Sequence, residues 1–397
     1  MSDPAQQLEA WLAVSINREQ SGVYDDLKLE AIRRALPSPA PRPVTIAGTK
    51  GKGSTLRLLE CALLAAGGSC VAFTSPHIAD VTERWRVHGQ PISSALAWDL
   101  AQEADARERA ADVVLTYFER CFLIAVLLQA RHPDAIFLCE VGLGGRLDCA
   151  NVLDTRLGLL THLSLDHTQL LGDTVPAIAA EKLAIARPDA PMLVAPQQFI
   201  SFEELRAAAP ADCQLRCIPR DVLPAGSALR LPGEHQLDNA ALAFAAAREV
   251  LPDADPQLLR EGLSKACLAA RCQVLPQGDR QLLIDGAHND ASIRSTIAVA
   301  ERCLRPGWQL VIGLAHDKDV ERIAAVLPDS RRIHRCGYDW FRARAEADWP
   351  AALRSTPWYP SIDTALQALP EHDLCITGSF YLAGEALRAV GDNTLFG

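Results

Sequence analysis

Short apolar runs alternate with helix-length segments along much of the chain, and this alternation limits the possible folds more than any other feature. The runs RPVTIAG, SCVAFTS, AIFLCEVG and LGLLTHL are compact and almost wholly apolar, as expected of parallel strands that are buried on both faces. Between them lie STLRLLECALLAAGG and TYFERCFLIAVLLQARHPD, whose length and apolar spacing are typical of helices. The pattern predicts an α/β fold around a mainly parallel, doubly wound sheet.

A second series of apolar runs occupies the last third of the chain. RQLLIDGAH, WQLVIGLAHD, RRIHRCG and DLCITGSF are separated by helical stretches such as DASIRSTIAVAERCL and VERIAAVLP. The stretch AARCQVLPQGDR contains Pro and Gly, and we interpret it as a linker near residue 275. We therefore expect one domain at residues 1–275 and a smaller α/β domain at residues 276–397.

Composition excludes several classes of protein. Of the 397 residues, 49% are hydrophobic and 22% are charged, which is typical of a globular chain and not of a disordered one. The net charge of −10 argues against a nucleic-acid partner, whose binding surface would be basic. No apolar run reaches the roughly 18 residues of a membrane span, and MSDPAQQLEAWLAV lacks the pattern of a signal peptide. We expect a cytoplasmic protein without a membrane partner.

The twelve cysteines are scattered singly, and none forms a C-x-x-C pair. Zinc sites and disulfide frameworks need closer or more regular spacing. The pattern therefore favours reduced and mostly buried thiols.

The first predicted strand runs into a glycine-rich turn and a helix, VTIAGTKGKGSTLRLLE. This stretch departs from the common phosphate-loop pattern G-x-x-x-x-G-K-[ST], but its glycines permit a sharp turn with inward amides, and the helix N-terminus adds positive potential. Lys52 would reach the β- and γ-phosphates of a nucleotide. The alternative is a plain strand-to-helix turn with exposed lysines. The residues that we expect to bind the nucleotide here are Gly48, Thr49, Gly51, Lys52, Gly53 and Ser54.

Polar residues also follow the next three predicted strands. Ser75 lies in TSPH, Glu140 ends the third strand, and His167 follows the fourth. Ligands of open parallel sheets gather at the carboxyl ends of the strands, and Mg²⁺ is usually held by few protein groups together with nucleotide phosphates. Taken singly, Glu140 could be an ion-pair partner, His167 a turn histidine and Ser75 a helix cap.

These segments resemble the dihydrofolate synthase/folylpolyglutamate synthase family, a branch of the Mur ligase superfamily. The family's nucleotide loop reads like G-T-N-G-K-G-S/T, which is close to GTKGKGST here. Further matches follow in the family's order through the rest of the chain: TSPH, TERWRVHGQ, LTYFE, EVGLGGRLDCANVLD, LDHTQLLGDT, AIAAEKLAIARP, GEHQLDNAALA, DGAHN, DKD and TGSFYLAG. The resemblance implies an N-terminal P-loop ATPase domain and a C-terminal Rossmann-like domain.

The resemblance also implies a reaction and its catalytic residues. Members of the family use ATP to phosphorylate a carboxylic acid, typically dihydropteroate or a folate, and glutamate then attacks the acyl phosphate. Ser75 and Glu140 would bind one Mg²⁺ and His167 a second one, while Lys52 would hold the phosphates. Lys182, in EKLAIARP, matches a lysine that the family often carries as a carbamate; an exposed helix lysine is the alternative.

The remaining expected contacts come from both predicted domains. The resemblance assigns Arg271 to the phosphates, and Asp285 and Asn239 to the nucleoside part of ATP. Arg84, His288 and Ser379 match positions that hold the incoming glutamate. The resemblance further implies a monomer in which closure of the two domains gates turnover.

Several positions depart from the family pattern and leave the acid substrate open. Lys50 replaces the usual Asn of the loop, AARCQ replaces Pro-Gly-Arg-Phe-Gln, and Gln169 replaces an Asp common in dihydrofolate-making members. Three interpretations therefore compete. The chain could be a dihydrofolate and folylpolyglutamate synthase, a related ligase for a different carboxylic acid, or a nucleotide-binding relative without catalysis.

Overall fold

The computed structural model describes residues 3–16, 18, 25–223, 227–340 and 342–391. Its α-helices in this part of the chain are α1 Pro4–Ala13, α2 Asp26–Ala35, α3 Lys52–Ala65, α4 Ser94–Ala110, α5 Tyr117–Ala130, α6 Thr168–Leu171, α7 Val175–Leu183, α8 Phe202–Ala208, α9 His235–Val250, α10 Pro256–Lys265, α11 Asp290–Cys303, α12 Val320–Ala324, α13 Ala351–Arg354, α14 Ile362–Ala368 and α15 Phe380–Ala389. Its strands are β1 Val44–Ala47, β2 Cys70–Phe73, β3 Trp85–Val87, β4 Gln90–Pro91, β5 Ile136–Glu140, β6 Leu157–Leu160, β7 Pro191–Val194, β8 Gln214–Cys217, β9 Gln273–Gln277, β10 Arg280–Ile284, β11 Gln309–Ile312, β12 Ile333–Cys336, β13 Trp358–Tyr359 and β14 Leu374–Thr377.

The chain divides into two compact units, and the first consists of Met1–His77, Val81–Leu229 and His235–Ala266. Its sheet has the strand order β4-β3-β2-β5-β1-β6-β7-β8. The strands from β2 to β8 in this order are parallel, whereas β3 and β4 add an antiparallel ribbon at one edge. The carboxyl ends of β2, β5, β1 and β6 therefore lie side by side, which is the edge where we expect the ligand site.

The second unit consists of Ile78–Asp80, Arg230–Glu234 and Cys267–Gly397. Its sheet has the order β13-β12-β11-β14-β10-β9 and is parallel except for β9. Leu282 and Ile284 pack into one apolar cluster and Leu283 into another, as the alternation of side chains along a strand requires. Helices cover both faces, so the predicted α/β class with two mostly parallel sheets is confirmed.

The stretch that we interpreted as a linker near residue 275 is instead strand β9, which pairs antiparallel with β10. Pro276 has no amide to donate, but β9 lies at the edge of the sheet, where a missing donor on the outer side breaks no ladder bond. Pro and Gly thus mark an edge strand and its hairpin turn here, and the linker prediction was wrong.

Two further expectations concern the whole chain. Among the described residues, no helix combines the length and the hydropathy that a membrane crossing requires. All twelve cysteines are free thiols, and seven of them are buried: Cys70, Cys121, Cys139, Cys149, Cys272, Cys336 and Cys375.

Candidate active site

The loop between β1 and α3 has the form of a phosphate-binding turn. Gly51 has a left-handed backbone (φ 92°) and precedes Lys52, the first residue of α3. Gly51 has no side chain with which to cap the helix, so the first amides of α3 are available to an anion. Gly48 has φ 149°, and a Cβ at this position would lie 1.8 Å from Thr161 Oγ1. The close approach of Thr161, which follows β6, therefore requires glycine at position 48.

Backbone contacts with the segment after β6 fix the loop. The amides of Thr49 and Lys50 both donate to the carbonyl of His162, over 2.9 and 3.2 Å. The Thr49 hydroxyl lies 3.2 Å from the Ser164 carbonyl, to which it donates. Lys52 Nζ donates to the Gly48 carbonyl over 3.2 Å, so this ammonium lies over the loop that it follows.

Helix α9 supports the loop from the side. Gln236 Nε2 donates to Ser54 Oγ over 3.5 Å, and Asn239 Nδ2 donates to Gln236 Oε1 over 2.9 Å. Asn239 is fully buried, and a Cβ on Gly51 would lie 2.5 Å from its Oδ1. The structure therefore places Asn239, which we expected at the nucleoside, directly against the phosphate loop.

Ser75 and Glu140 meet at the ends of β2 and β5. The Ser75 amide donates to Glu140 Oε2 over 3.0 Å, and Glu140 is only 4% exposed. The two residues were predicted to lie together because parallel neighbouring strands end at the same edge of a sheet. The pairing brings a carboxylate and the backbone of a serine to one point beside the phosphate loop.

Asp148 is a residue that the sequence reasoning missed. Its Oδ2 accepts from the amides of Gly142 and Leu143, over 3.0 and 3.1 Å, and its Oδ1 accepts from Ala150. Burial raises the pKa of Asp148 to about 6, while these backbone hydrogen bonds oppose the rise. The available signal was an Asp closely following the glycines of EVGLGGRLD, because a tight turn exposes amides that need an acceptor.

Lys182 lies near the C-terminal end of α7 and is only 4% exposed. Burial lowers the pKa of its ammonium to about 7, and the positive charge of Lys52 acts in the same direction. The glycine-rich loop after Glu140 packs against this helix: a Cβ on Gly145 would lie 2.5 Å from the Glu181 carbonyl oxygen and 2.9 Å from Lys182 Cα. Lys182 is therefore a buried residue of the site and not a lysine of an exposed helix surface.

His167 precedes α6 and has a left-handed backbone with φ 48°. Its side chain is 54% exposed, and its Nε2 lies 3.9 Å from Asp166 Oδ1. Non-glycine residues are uncommon in this backbone region and often mark functional turns. The imidazole is thus available to a ligand.

Arg84 is buried, although we expected it to bind a substrate carboxylate. Its Nε donates to His77 Nδ1 over 2.9 Å, and its guanidinium lies 5.3 Å from the ring centroid of Tyr117. These contacts hold the guanidinium at a fixed place close to TSPH.

In the second unit, Asp285 orders the turn that follows β10. Its Oδ2 accepts from the Cys272 amide over 2.7 Å. Its Oδ1 accepts from the Ala287 amide and from the Thr296 hydroxyl, over 2.9 and 2.7 Å. Both oxygens of this buried carboxylate are therefore engaged within the unit.

Phe380 is a second residue that the sequence reasoning missed, although it lies in the quoted motif TGSFYLAG. The Arg271 guanidinium lies 4.5 Å from the centroid of its ring, and the His288 ring lies 5.8 Å from it. Ser379 caps α15 by accepting from the Tyr381 amide. One aromatic ring thus brings two of the predicted residues, Arg271 and His288, together, and Ser379 is the chain neighbour of that ring.

Arg271 is flanked by two residues with left-handed backbones, Ala270 with φ 52° and Cys272 with φ 48°. The family pattern has glycine at position 270, where this conformation is free of strain. Ala270 therefore adopts a backbone conformation that favours glycine.

No family model matches the chain. A dihydrofolate synthase/folylpolyglutamate synthase from Escherichia coli is 33% identical over 334 residues, which are 80% of this chain and 78% of the relative. A probable bifunctional folylpolyglutamate synthase/dihydropteroate synthase from Haloferax volcanii is 30% identical over 90% of this chain, and the chain spans 48% of that relative's length.

Two solved structures are similar over nearly the full chain. FolC of Escherichia coli in complex with DHPP and ADP has a TM-score of 0.83 at 27% identity, covering 98% of this chain and 99% of that one. A bifunctional folylpolyglutamate synthase/dihydrofolate synthase with Mn, AMPPNP and L-glutamate bound has a TM-score of 0.82 at 29% identity, covering 97% and 98%.

Proposed function

Because the chain belongs to the dihydrofolate synthase/folylpolyglutamate synthase family, we propose that it is an ATP-dependent ligase. It converts a pterin-type carboxylic acid into an acyl phosphate and couples that acid to L-glutamate. The solved relative with Mn, AMPPNP and L-glutamate bound supports the two small substrates. The relative in complex with DHPP and ADP supports a nucleotide beside a second small molecule.

The observation that carries the proposal is the phosphate loop beside the Ser75–Glu140 pair. A carboxylate is a poor electrophile because oxide would have to leave, and phosphorylation supplies a better leaving group. The chain must then hold two anions together and neutralise the charge of the transferring phosphoryl group. Lys52 and the first amides of α3 supply positive charge and donors at this point.

The donor set suits magnesium. Among the described residues, no group of three or more His, Cys, Asp or Glu side chains could hold a metal ion, which fits an ion that is bound mainly by phosphates and water. Ser75 and Glu140 would hold one Mg²⁺. His167 would hold a second one together with Lys182, whose oxygen donors would come from a carbamate because an ammonium cannot ligate a cation. When bound, the ions would supply Lewis-acid neutralisation of the two anionic reactants.

Lys182 is proposed to carry a carbamate. An amine attacks CO₂ only in its neutral form, and the pKa of about 7 makes that form abundant at neutral pH. A bond forms between Nζ and the carbon of CO₂, and the amine proton leaves to solvent. The product is an anion with oxygen donors, which relieves the repulsion between Lys182 and Lys52. A ¹³C resonance of a carbamate after addition of labelled bicarbonate, absent in Lys182→Met, would test this assignment.

The remaining predicted contacts belong to the proposal as well. Arg271 would face the phosphates. Asp285 and Asn239 would act at the nucleoside end of ATP, Asn239 from its place beside the phosphate loop. Arg84, His288 and Ser379 would bind the incoming glutamate, whose carboxylates suit a guanidinium because of its paired donors. We also propose that the enzyme is cytoplasmic and monomeric. Light scattering on the purified protein would test the oligomeric state.

The test measures ADP release with dihydropteroate and glutamate, and compares it with a panel of other carboxylic acids. Turnover that needs both dihydropteroate and glutamate is the expected result. ADP release that occurs with a non-pterin acid but not with dihydropteroate would show that the chain is the related ligase. Nucleotide binding without any turnover would show that it is the non-catalytic relative. Complementation of a strain that lacks dihydrofolate synthase provides the second, independent readout.

A further inference from the structure

A cluster of three buried charged residues lies behind the proposed site and has no part in the chemistry described so far. Glu60 and Arg86 are fully buried, and Arg57 is nearly so. Arg86 Nε lies 3.2 and 3.0 Å from the two carboxylate oxygens of Glu60 and donates to both. Arg57 Nη1 donates to Glu60 Oε2 over 2.8 Å and to the Gly89 carbonyl over 3.3 Å. The cluster holds two guanidinium groups and one carboxylate, so removing Glu60 would take the shared counter-charge away from two buried cations.

Arg86 extends this cluster to the two segments that carry predicted site residues. Its Nη1 donates to Thr74 Oγ1 over 2.8 Å and to the Glu83 carbonyl over 3.1 Å. Thr74 immediately precedes Ser75, and Glu83 immediately precedes Arg84. One side chain therefore contacts both neighbours of the predicted site residues.

The cluster also includes a residue of the helix that follows the phosphate loop. Glu60 lies on α3 about two turns after Lys52, the residue at which the helix begins. The pairing of β2 with β3 adds a backbone link, because the Thr74 amide donates to the Arg84 carbonyl over 3.0 Å. Arg86 thus connects three segments: helix α3, the end of β2 and the turn before β3.

Only arginine can make this set of contacts. Its Nε and Nη2 face Glu60 while Nη1 faces Thr74 and Glu83, which uses the fixed, planar fork of the guanidinium. A lysine ammonium presents its donors at a single point and cannot span both sides. Ala72 lies directly across from Arg86 in the antiparallel pair, and its small side chain leaves room for the guanidinium.

We propose that Arg86 is a positioning residue that sets Ser75 and Arg84 relative to the phosphate loop through Thr74 and Glu83. The expected change in the Mg²⁺ dependence of ADP release rests on the proposed function, whereas the expected change in hydrogen exchange does not. Loss of the Nη1 contacts would let the end of β2 move, and Ser75 would no longer stand at a fixed distance from Glu140.

The structural test is hydrogen exchange in Arg86→Lys, with Arg57→Lys as the matched control. Both variants disturb the pairing with Glu60, but Arg86 also donates to Thr74 and to the Glu83 carbonyl. We expect the amides of Thr74 and Ser75 to exchange about tenfold faster or more in Arg86→Lys than in Arg57→Lys, while the amides of β6 stay equally protected in both. Equal exchange at Thr74 and Ser75 in the two variants would overturn the proposal.

The kinetic test is the Mg²⁺ dependence of ADP release. Residues that orient metal ligands typically change metal affinity by about 10-fold or more when they are replaced. We expect Arg86→Lys to raise the half-saturating Mg²⁺ concentration by about this factor, with less than about a twofold change in Arg57→Lys. Thr74→Val should reproduce part of the effect, and Thr74→Ser, which keeps the hydroxyl, should restore the parental value.

The results distinguish an error in the proposed function from an error in the proposal about Arg86. If the parental protein shows no ligase activity, the proposed function is wrong, and the exchange experiment alone decides the role of Arg86. If the parental protein is active but Arg86→Lys keeps the parental Mg²⁺ dependence, the proposal about Arg86 is wrong while the proposed function stands.

Discussion

The Ser75 amide donates to Glu140 Oε2 over 3.0 Å, and this bond joins the ends of two neighbouring parallel strands. The acceptor is a buried carboxylate, so its orientation is set by the backbone and not by solvent. A charge-assisted bond of this kind is stronger than one between neutral groups. The relationship fixes a negative charge at the place where the proposed reaction gathers phosphates and cations.

Replacing Glu140 with Gln should separate its charge from its hydrogen bond. The amide oxygen of Gln can still accept from Ser75, so we expect the free energy of unfolding to change by less than about 1 kcal/mol. The charge is lost, so Mg²⁺-dependent ADP release should fall by about 100-fold or more. Urea denaturation and the ADP assay check the two parts. Parental turnover in Glu140→Gln would contradict a metal-binding role.

Lys182 should make stability depend on pH in a defined direction. Its pKa is about 7 in the folded protein and near 10.4 in an unfolded chain. Between these values the unfolded chain binds the additional proton, so the parental protein gains stability as the pH rises, by at most about 1.4 kcal/mol per pH unit.

The measurement compares urea denaturation of the parental protein and of Lys182→Met at pH 7, 8 and 9, in metal-free buffer depleted of CO₂. We expect the free energy of unfolding of the parental protein to increase relative to that of Lys182→Met as the pH rises. A constant difference across this range would show that Lys182 has an ordinary pKa.

Gly145→Ala should displace a part of the site without changing any charged side chain. The added methyl would lie 2.5 Å from the Glu181 carbonyl oxygen, so α7 or the loop must shift, at a cost of about 1–3 kcal/mol. Because Lys182 moves with α7, turnover should fall as well. Gly307→Ala is the control: Gly307 has φ 91° and no atoms near the added methyl, so it should lose stability through backbone strain and keep parental turnover.

Asp285→Asn should destabilise the second unit. One of the three donors that face the carboxylate would meet the NH₂ group of Asn, and a buried donor without an acceptor costs about 1–3 kcal/mol. Asp279→Asn, an exposed change in a turn of the same unit, should stay within about 0.5 kcal/mol of the parental protein. Urea denaturation of both variants checks this. Equal stabilities would show that the Cys272 amide finds another acceptor.

Eight strands were predictable because buried parallel strands are continuous apolar runs, namely β1, β2, β5, β6, β10, β11, β12 and β14. The other strands, β3, β4, β7, β8, β9 and β13, were not predicted. Given the strands, the meeting of Ser75 with Glu140 also followed, since neighbouring parallel strands end together. The role of Pro276 was not predictable in the same way, because proline is typical of loops and also of edge strands. Only the strand order of the sheet separates those two cases.

The burial of Lys182 could not be read from EKLAIARP, which resembles the exposed face of a helix. Its burial depends on the loop around Gly145, which lies more than 30 residues earlier in the chain. Asp148 was missed for a related reason: a single Asp after a glycine-rich turn has many possible roles until the amides that it accepts from are known. The contacts of Phe380 with Arg271 and His288 likewise depend on tertiary packing.

The contact between Gly145 and α7 is made by main-chain atoms on the helix side, so it does not depend on which side chains the neighbouring positions carry. Exposed neighbours such as Leu143 can therefore change without altering the spacing between the loop and Lys182. The loop can therefore tolerate side-chain variation around Gly145 while the position of Lys182 stays constant, provided that the glycine itself is retained.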